Sequence, residues 1–233
     1  MSTPKPENRL LAALPPAEFA RLTARMTDIT FGHKDLLYRT GAPIDYVYFP
    51  RSGVLSAVVV MTDGARVEVA AIGREGMIGA SVALGAEVSA EQVFCQVHPS
   101  ECRRMSAEEF AGEIRRSLPL RELVNGYLRA SLTASARQTA CNCLHSVDER
   151  CVRWLLQCHD AVGEDEFPLT HEFLSVMLGV RRATVSVSAG NLQSAGMISY
   201  KHGRVTVLDR ARLEEATCEC YQVIRDVFQT PSA

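Results

Sequence analysis

The most constraining feature of this sequence is a pair of short apolar-periodic runs that meet at one glycine, within residues 167–196. Thr170 is suited to cap a first helix, Gly179 supplies a tight turn, and Gly196 would end a second helix. The apolar positions at helical spacing are Leu174, Met177 and Leu178 before the turn and Val185, Ala189 and Leu192 after it, with Val180 between. The pattern predicts a helix–turn–helix.

The face of the second helix that lies opposite its apolar stripe is small and carries no acid. It consists of Ala183, Val187, Gly190 and Ser194, flanked by Arg182, Ser186 and Gln193. A helix that enters the DNA major groove needs short side chains, a few donors and little negative charge. Arg182 could reach guanine acceptors or a phosphate, and Ala183 or Val187 could contact a thymine methyl group. The face therefore predicts a DNA-reading helix.

Positive charge gathers around this helix, although the 233-residue chain has a net charge of −2. Between residues 169 and 207 only Glu172 opposes four cations, which leaves +3 with histidine counted as neutral. The cations are Arg181, Arg182, Lys201 and Arg204. The last two, with His202, lie at the tip of a hairpin predicted in "MISYKHGRVTVL", where a wing would touch phosphate. The alternative is a packing domain with an incidental solvated charge cluster.

The N-terminal half, to about residue 116, is predicted to consist mainly of short strands. Gly41, Pro43, Gly53, Gly64 and Gly76 punctuate these strands at turn positions, and the runs around "TDGA" predict a hairpin. Helices are predicted in "PPAEFARLTARM" and, after a Ser106 cap, in "SAEEFAGEIRRS". Apolar residues make up 47% of the chain, enough for sizeable cores. Many short, regularly spaced strands predict a sandwich or barrel.

A long helix is predicted between residues 119 and 146. Leu120, Val124, Tyr127, Ser131, Ala134, Gln138 and Cys141 repeat at alternating spacings of four and three, which is a heptad seam. A parallel dimer seam is the favoured interpretation, and a helix lying on its own barrel is the alternative. After it, "VDERCVRWLLQCHDAV" predicts an amphipathic helix, and one final helix is expected from about Arg210.

The eight cysteines are not expected to form disulfides. The first residues lack the apolar run of a signal peptide and no stretch is long enough to span a membrane, so we expect a cytoplasmic protein with reduced thiols. Cys151 and Cys158 share one helical face with Trp154, as core residues do. Burial as small apolar residues is therefore the favoured interpretation. A metal or redox site is the alternative; it would use Cys141, Cys143, Cys218 and Cys220, with His145 as a further ligand.

Several of these stretches resemble the Crp/Fnr family of bacterial transcription regulators, across nearly the whole chain. They are "GAPIDYVYFPRSGVLS", "GREGMIG", the long helix and "LTHEFLSVMLGVRRATVSVSAGNLQSAGMI". The resemblance implies an α+β fold with a double-stranded β-helix (jelly-roll) sensor at residues 1–116. A dimerisation helix at 117–146 and a winged helix-turn-helix at 147–233 would follow. It further implies a homodimer on a palindromic double-stranded DNA operator.

The resemblance also assigns roles to residues of the second helix. Arg182 falls on the family's operator-contacting arginine, and Thr184 falls on a threonine expected to meet phosphate. Ala183 and Val187 stand where many members carry an acid and a base-reading cation. A different half-site is therefore expected. With the cations and Ser186, the predicted DNA contacts are Arg181, Arg182, Ala183, Thr184, Ser186, Val187, Lys201 and Arg204.

The sensor half departs from the cyclic-nucleotide binders of the family. Their glycine–glutamate pair for ribose falls on Gly79 and Ala80, and their arginine–serine–alanine run for phosphate falls on Val88, Ser89 and Ala90. A phosphate would lose the charge-assisted contact that the arginine supplies. An effector other than cyclic AMP, or none, is therefore expected at this pocket. The iron–sulfur members cluster cysteines near the N-terminus, whereas the first cysteine here is Cys95, and there is no assignable haem ligand set.

The leading hypothesis is a DNA-binding transcription regulator. A thiol- or metal-based redox sensor and a ligand-binding barrel that acts on a protein partner are the alternatives. RNA polymerase is a further candidate partner, since activation needs a surface that touches it whereas repression needs only a well-placed operator. We expect no enzymatic activity, because the chain has no nucleophile–base–acid set, no phosphate-cradling glycine loop and no H-E-x-x-H spacing.

Overall fold

The N-terminal part of the computed structural model is built from antiparallel strands; the structure describes residues 7–97 and 99–229. Its helices are α1 (Arg9–Ala12), α2 (Pro16–Thr23) and α3 (Ala107–Arg116), with a short 3-10 helix at Ala80–Leu84. Its strands are β1 (Thr27–Phe31), β2 (Leu36–Tyr38), β3 (Tyr46–Pro50), β4 (Val54–Val60), β5 (Arg66–Ile72), β6 (Gln92–Val97) and β7 (Ser100–Ser106).

These strands form two sheets with the orders β1-β7-β3 and β2-β6-β4-β5. The predicted hairpin is β4 and β5, which pair from Leu55 with Ile72 to Val60 with Arg66. Large side chains such as Phe49 and Phe110 fill the core between the sheets and α3. Ser106 caps α3 as predicted, since its Oγ accepts a hydrogen bond from the Glu109 amide. The α+β, jelly-roll interpretation of this half is confirmed.

The long helix, α4 (Leu118–Leu144), is present, but its predicted seam does not lie free for a second copy. Leu120 and Val124 belong to the core of the N-terminal part. Farther along, the Tyr127 Oη donates to the Met77 carbonyl at 3.1 Å and the Gln138 Nε2 donates to the Glu68 carbonyl at 3.0 Å. The prediction of a dimer seam through Leu120, Val124, Tyr127, Gln138 and Cys141 is wrong, because the same chain contacts these side chains.

The C-terminal part is a winged helix–turn–helix. Its elements are α5 (Val147–Val162), β8 (Glu166–Pro168), α6 (His171–Leu178), α7 (Arg182–Ser194), β9 (Ile198–Lys201), β10 (Arg204–Val207), α8 (Arg210–Ala216) and α9 (Cys220–Gln229). The hairpin β9–β10 gains β8 as a third strand that the sequence analysis missed. The prediction of one final helix from Arg210 is wrong. The chain leaves the helix at Thr217, whose backbone is extended, and starts again at Cys220.

The two parts meet along α5 and α6, which pack on the face of the β2-β6-β4-β5 sheet. The Trp154 Nε1 donates to the buried Glu68 Oε1 at 2.8 Å, and Phe173 stacks edge-on against Phe94 with ring centroids 5.9 Å apart. At the other side, α9 returns to α4, where Phe228 contacts Tyr127 at 5.8 Å between ring centroids. The helix–turn–helix is therefore joined to the N-terminal part by packed side chains, and Val54, Val58 and Val97 of the strands belong to the C-terminal core.

The limits 1–116, 117–146 and 147–233 remain a prediction, and they include residues 1–6, 98 and 230–233, which lie outside the described residues. Within the part of the chain that the structure describes, none of the helices combines the length and the apolar character that crossing a bilayer requires.

Candidate nucleic-acid interface and effector pocket

The turn between α6 and α7 depends on Gly179. Thr170 caps α6, since its Oγ1 accepts from the Phe173 amide at 3.1 Å. Gly179 then ends α6 with a left-handed φ of 63°, and its amide bonds to the last turn of the helix. A side chain here would strain the backbone, and its Cβ would lie 3.4 Å from a methyl group of Val67. The tight turn brings α7 across α6 as the sequence predicts.

The two faces of α7 are separated as its sequence pattern predicts. Val185, Ala189 and Leu192 are buried, and Val185 has no exposed surface at all. Ala183, Val187, Gly190 and Ser194 are all exposed, and Val187 is 63% accessible. A large side chain is absent from this face, so another rigid surface could approach the α7 backbone closely. This is the geometry that a helix seated in a major groove requires.

The N-terminal end of α7 is strongly positive. Arg181 is the N-cap residue and Arg182 is the first residue of the helix, and both side chains are exposed. The first turn carries no acid, and among the described residues neither arginine has a salt-bridge partner. The unsatisfied amides of a helix N-terminus add further positive potential. Thr184, the third residue of α7, is also exposed. This end of α7 is suited to anions such as DNA phosphates.

Ser186, one of the predicted DNA contacts, is engaged within the chain. Its Oγ donates to the Arg182 carbonyl at 3.1 Å and lies 3.0 Å from the His171 Nδ1. Because its proton is committed, the hydroxyl can accept from His171. Burial, with a smaller contribution from the charge of Arg182, lowers the pKa of His171, whose ring also stacks on Tyr200 at 4.4 Å between centroids. No sequence pattern indicates this arrangement.

The wing is less positive than the sequence predicts. Arg204 forms an ion pair with Glu166 of β8, an acid that lies just outside residues 169–207. Its charge is therefore balanced within the three-stranded sheet. Lys201 and His202 are exposed at the tip, where His202 and Gly203 take left-handed φ values of 49° and 74°. Lys201 thus remains the stronger candidate for a phosphate contact from the wing.

The predicted effector residues surround the 3-10 helix, and their polar groups are used internally. Gly79 precedes this helix with a φ of 87°, and a Cβ there would lie 2.5 Å from the Tyr38 Oη. Ala80 is buried, whereas Val88 and Ala90 are exposed. The Ser89 Oγ donates to the Glu91 carbonyl at 2.8 Å. The loop thus offers no cationic side chain at the position where the family binders hold phosphate.

The predicted cysteine set is brought together only in part. Cys141, Cys218 and Cys220 are buried side by side, and His145 joins them. Cys143 is exposed and does not belong to the group, because it lies two residues after Cys141 on a different face of α4. The alternative metal or redox set is therefore wrong in its inclusion of Cys143. The remaining cysteines, Cys95, Cys102, Cys151 and Cys158, are buried core residues as expected.

Two family models match the chain, and their order follows its architecture. The cyclic nucleotide-binding domain matches residues 29–117, and the Crp-like helix-turn-helix domain matches residues 149–216. Together they cover about two thirds of the chain. The chain belongs to the Crp/Fnr family. It is a Crp/Fnr-type transcription regulator with a cyclic nucleotide-binding-like domain and a DNA-binding helix-turn-helix.

Solved structures share the fold of this Crp/Fnr regulator at low sequence identity. FixK2 from Bradyrhizobium japonicum is 16% identical with a TM-score of 0.69, covering 83% of this chain and 98% of its own. The c-di-GMP-responsive global regulator CLP of Xanthomonas campestris is 16% identical with a TM-score of 0.67, covering 83% and 99%. A Crp/Fnr-family regulator from Thermus thermophilus is 18% identical with a TM-score of 0.66, covering 88% and 100%. No curated protein sequence matches the chain.

Proposed function

We propose that this protein is a homodimeric, sequence-specific regulator that inserts α7 into successive major grooves of a two-fold symmetric operator. The observation that carries the proposal is the contrast within α7. Its buried stripe fixes the helix on the core, and its exposed face is small, free of acid and headed by Arg182. Grooves that face the same side of the duplex recur about 34 Å apart, so two copies would read two half-sites.

Individual side chains are suited to different parts of the duplex. Arg182 would reach guanine O6 and N7, which is the commonest specific contact of an arginine. Ala183 and Val187 offer apolar surface for a thymine methyl group, in place of the longer polar side chains of many relatives. Arg181, Thr184 and Lys201 would contact phosphates and set the register. Arg204 is assigned a weaker role, since it is already paired with Glu166.

The dimer contact is proposed on the face of α4 that the chain leaves uncovered. This dimer face consists of Leu118, Asn125, Leu132, Ala136 and Thr139, all of them exposed. The residues recur at heptad-compatible spacings, and Leu132 is 72% accessible. Small residues beyond it allow two helices to approach closely. A second copy is the occupant that the two-fold operator requires, and an exposed leucine in mid-helix is the expected anchor for it.

The signal that controls the protein is proposed to be something other than cyclic AMP. Val88 stands in the phosphate-binding position, and Ser89 is bonded to Glu91 rather than turned outward. The regulator would have no enzymatic activity of its own, whether or not it contacts RNA polymerase.

The experiment that tests this proposal is a binding measurement over a randomised set of palindromic duplexes, followed by titration of the selected site. Arg182→Ala should weaken binding by about 1–3 kcal/mol, roughly 5- to 150-fold, and should relax preference at one position of each half-site. Arg39→Ala is the matched control, because Arg39 is an exposed arginine of the N-terminal part, away from α7. Binding should also fall steeply with salt.

Weak binding without selection of any sequence would contradict the proposal. The same holds if Arg182→Ala and Arg39→Ala change affinity equally, because the arginine would then act only through net charge.

A further inference from the structure

Four soft metal-ligand side chains from two distant parts of the chain meet where α4 ends. Cys141 lies in the last turn of α4, and His145 is the C-cap residue that directly follows this helix. Cys218 lies in the break between α8 and α9, and Cys220 is the first residue of α9. We call Cys141, His145, Cys218 and Cys220 the cysteine–histidine cluster. The break itself, which the sequence analysis did not predict, brings both cysteines to one side.

The spacing within the cluster is that of a tetrahedral metal site. The Sγ atoms of Cys141 and Cys218 are 3.5 Å apart, and the Sγ of Cys220 lies 3.7 Å from the His145 Nδ1. All four ligand atoms lie within 4.8 Å of one another. Zinc–sulfur bonds of about 2.3 Å and zinc–nitrogen bonds of about 2.0 Å, directed to the corners of a tetrahedron, place ligand atoms roughly 3.5–3.8 Å apart. Only small movements would be needed to close the site.

The orientation of His145 is also that of a metal ligand. Its Nε2 lies 3.2 Å from the Oε2 of Glu219, the residue between Cys218 and Cys220. A proton on Nε2 that is held by a carboxylate leaves the Nδ1 lone pair directed into the cluster. Metal-bound histidines regularly have their second ring nitrogen held in this way, which fixes the tautomer and strengthens the ligand.

The positive charge of a buried arginine near the cluster would be balanced if the cluster bound a metal ion. Arg153 is only 3% exposed, its Nη1 donates to Gln157 at 2.9 Å, and its Nε has no hydrogen-bond partner among the described residues. A divalent ion with three thiolates and a neutral imidazole carries one net negative charge. Such a complex would help to compensate the charge of this buried guanidinium.

We propose that the cysteine–histidine cluster binds one Zn²⁺ ion per chain. Thiolate and imidazole ligands in a closed four-coordinate set are typical of structural zinc sites. The ion would tie the start of α9 to the end of α4, one residue before Ser146 caps α5. It would therefore hold the junction between the long helix and the winged helix–turn–helix. This proposal does not depend on the proposed DNA recognition, since metal binding is measured directly.

Metal content and cobalt spectroscopy of the full-length protein test the site. Protein purified under reducing conditions should contain close to one zinc per chain by elemental analysis. Co²⁺ added after zinc removal should give thiolate-to-cobalt charge transfer and the intense d–d bands of tetrahedral coordination. Cys220→Ser should lower zinc content and weaken Co²⁺ binding at least tenfold. Cys143→Ser is the matched control, being an exposed cysteine two residues from Cys141, and should retain one zinc.

Two further measurements keep the proposal falsifiable if a variant fails to fold. Chelation of zinc from the unmodified protein should lower its melting temperature and speed hydrogen exchange in α9, and added zinc should reverse both effects. Absence of zinc and of cobalt bands in well-folded, reduced protein would overturn the proposal. So would a disulfide between Cys141 and Cys218, found by peptide mapping of protein purified under reducing conditions, or an equal loss of zinc in Cys143→Ser.

Discussion

The helices α4 and α7 both have regularly spaced residues along one face, but the two faces have different surroundings in the structure. In α7, which has 13 residues, the apolar stripe is buried and the small face is exposed, as the pattern predicts. In α4, which has 27 residues, most of the seam from Leu120 to Cys141 contacts its own chain, and the opposite face is the exposed one.

The comparison shows what periodicity can and cannot reveal. Spacing identifies residues that share a helical face, because 3.6 residues complete one turn. It does not identify what covers that face. The partners of the α4 seam, such as Glu68 in β5 and Cys218 near the C-terminus, are remote in sequence. The stripe of α7 is covered mainly by neighbours such as α5 and α6, so local sequence was sufficient there.

The largest effect on stability is expected from a valine-to-aspartate substitution, which we compare at two positions of α7 that lie two residues apart. Val185→Asp would bury an unpaired carboxylate in the core and should unfold the C-terminal part, because its desolvation costs several kcal/mol. Val187→Asp should change the free energy of unfolding by less than about 0.5 kcal/mol, since Val187 is exposed, yet it should abolish operator binding by repelling phosphate. Circular dichroism melts and DNA titrations measure both. Similar melting temperatures of the two variants would contradict the assignment of Val185 to the buried face and Val187 to the exposed face.

The next effect concerns the exposed face of α4. Leu132→Asp should dissociate the proposed dimer, because it removes two apolar side chains and sets two carboxylates against each other, a loss of roughly 3–6 kcal/mol per dimer. Sedimentation at micromolar concentration measures this loss. Thr133→Asp is the control, since residue 133 is exposed but points about 100° away around the helix. A Leu132→Asp protein that remains dimeric would place the contact elsewhere.

A smaller effect is expected at Glu68, whose backbone carbonyl accepts the bond from Gln138 of the α4 seam. Burial raises the pKa of its carboxyl from 4.5 to about 7, against the opposing influence of Ser56, Trp154 and Arg153. A carboxyl with a higher pKa in the folded protein binds more protons when folded. Its contribution to stability is therefore present at low pH and is lost as the pH rises towards about 7.

The free energy of unfolding should thus fall by roughly 2–3 kcal/mol through Glu68 between about pH 5 and about pH 8. Glu68→Gln keeps an acceptor for the Trp154 indole and should remove this part of the pH dependence. Urea unfolding at both pH values measures the change, with the exposed Glu164→Gln as control. An unchanged slope in Glu68→Gln would assign the pH dependence to other groups.

Much of the fold was predictable because its signals are local. Turn glycines, the Ser106 and Thr170 caps and the stripe of α7 each depend on a few neighbouring residues. The break at residues 217–219, the ion pair of Arg204 with Glu166 and the exclusion of Cys143 from the cluster depend on tertiary contacts. Those features decide how charged and ligating side chains are used, so the site was predicted less completely than the fold.

The smallest effect is expected at Ser186, which the sequence places among the DNA contacts. Its hydroxyl proton is donated to the Arg182 carbonyl, and its lone pairs face His171. Since little hydrogen-bonding capacity is left for a base, Ser186→Ala should change operator affinity by no more than about 0.5 kcal/mol, roughly twofold. Fluorescence anisotropy with the selected duplex, run beside Arg182→Ala, resolves this difference. A tenfold loss would mean that the Ser186 hydroxyl leaves its intrahelical bond when α7 enters the groove, and that the exposed face of α7 reads bases with more than Arg182, Ala183 and Val187.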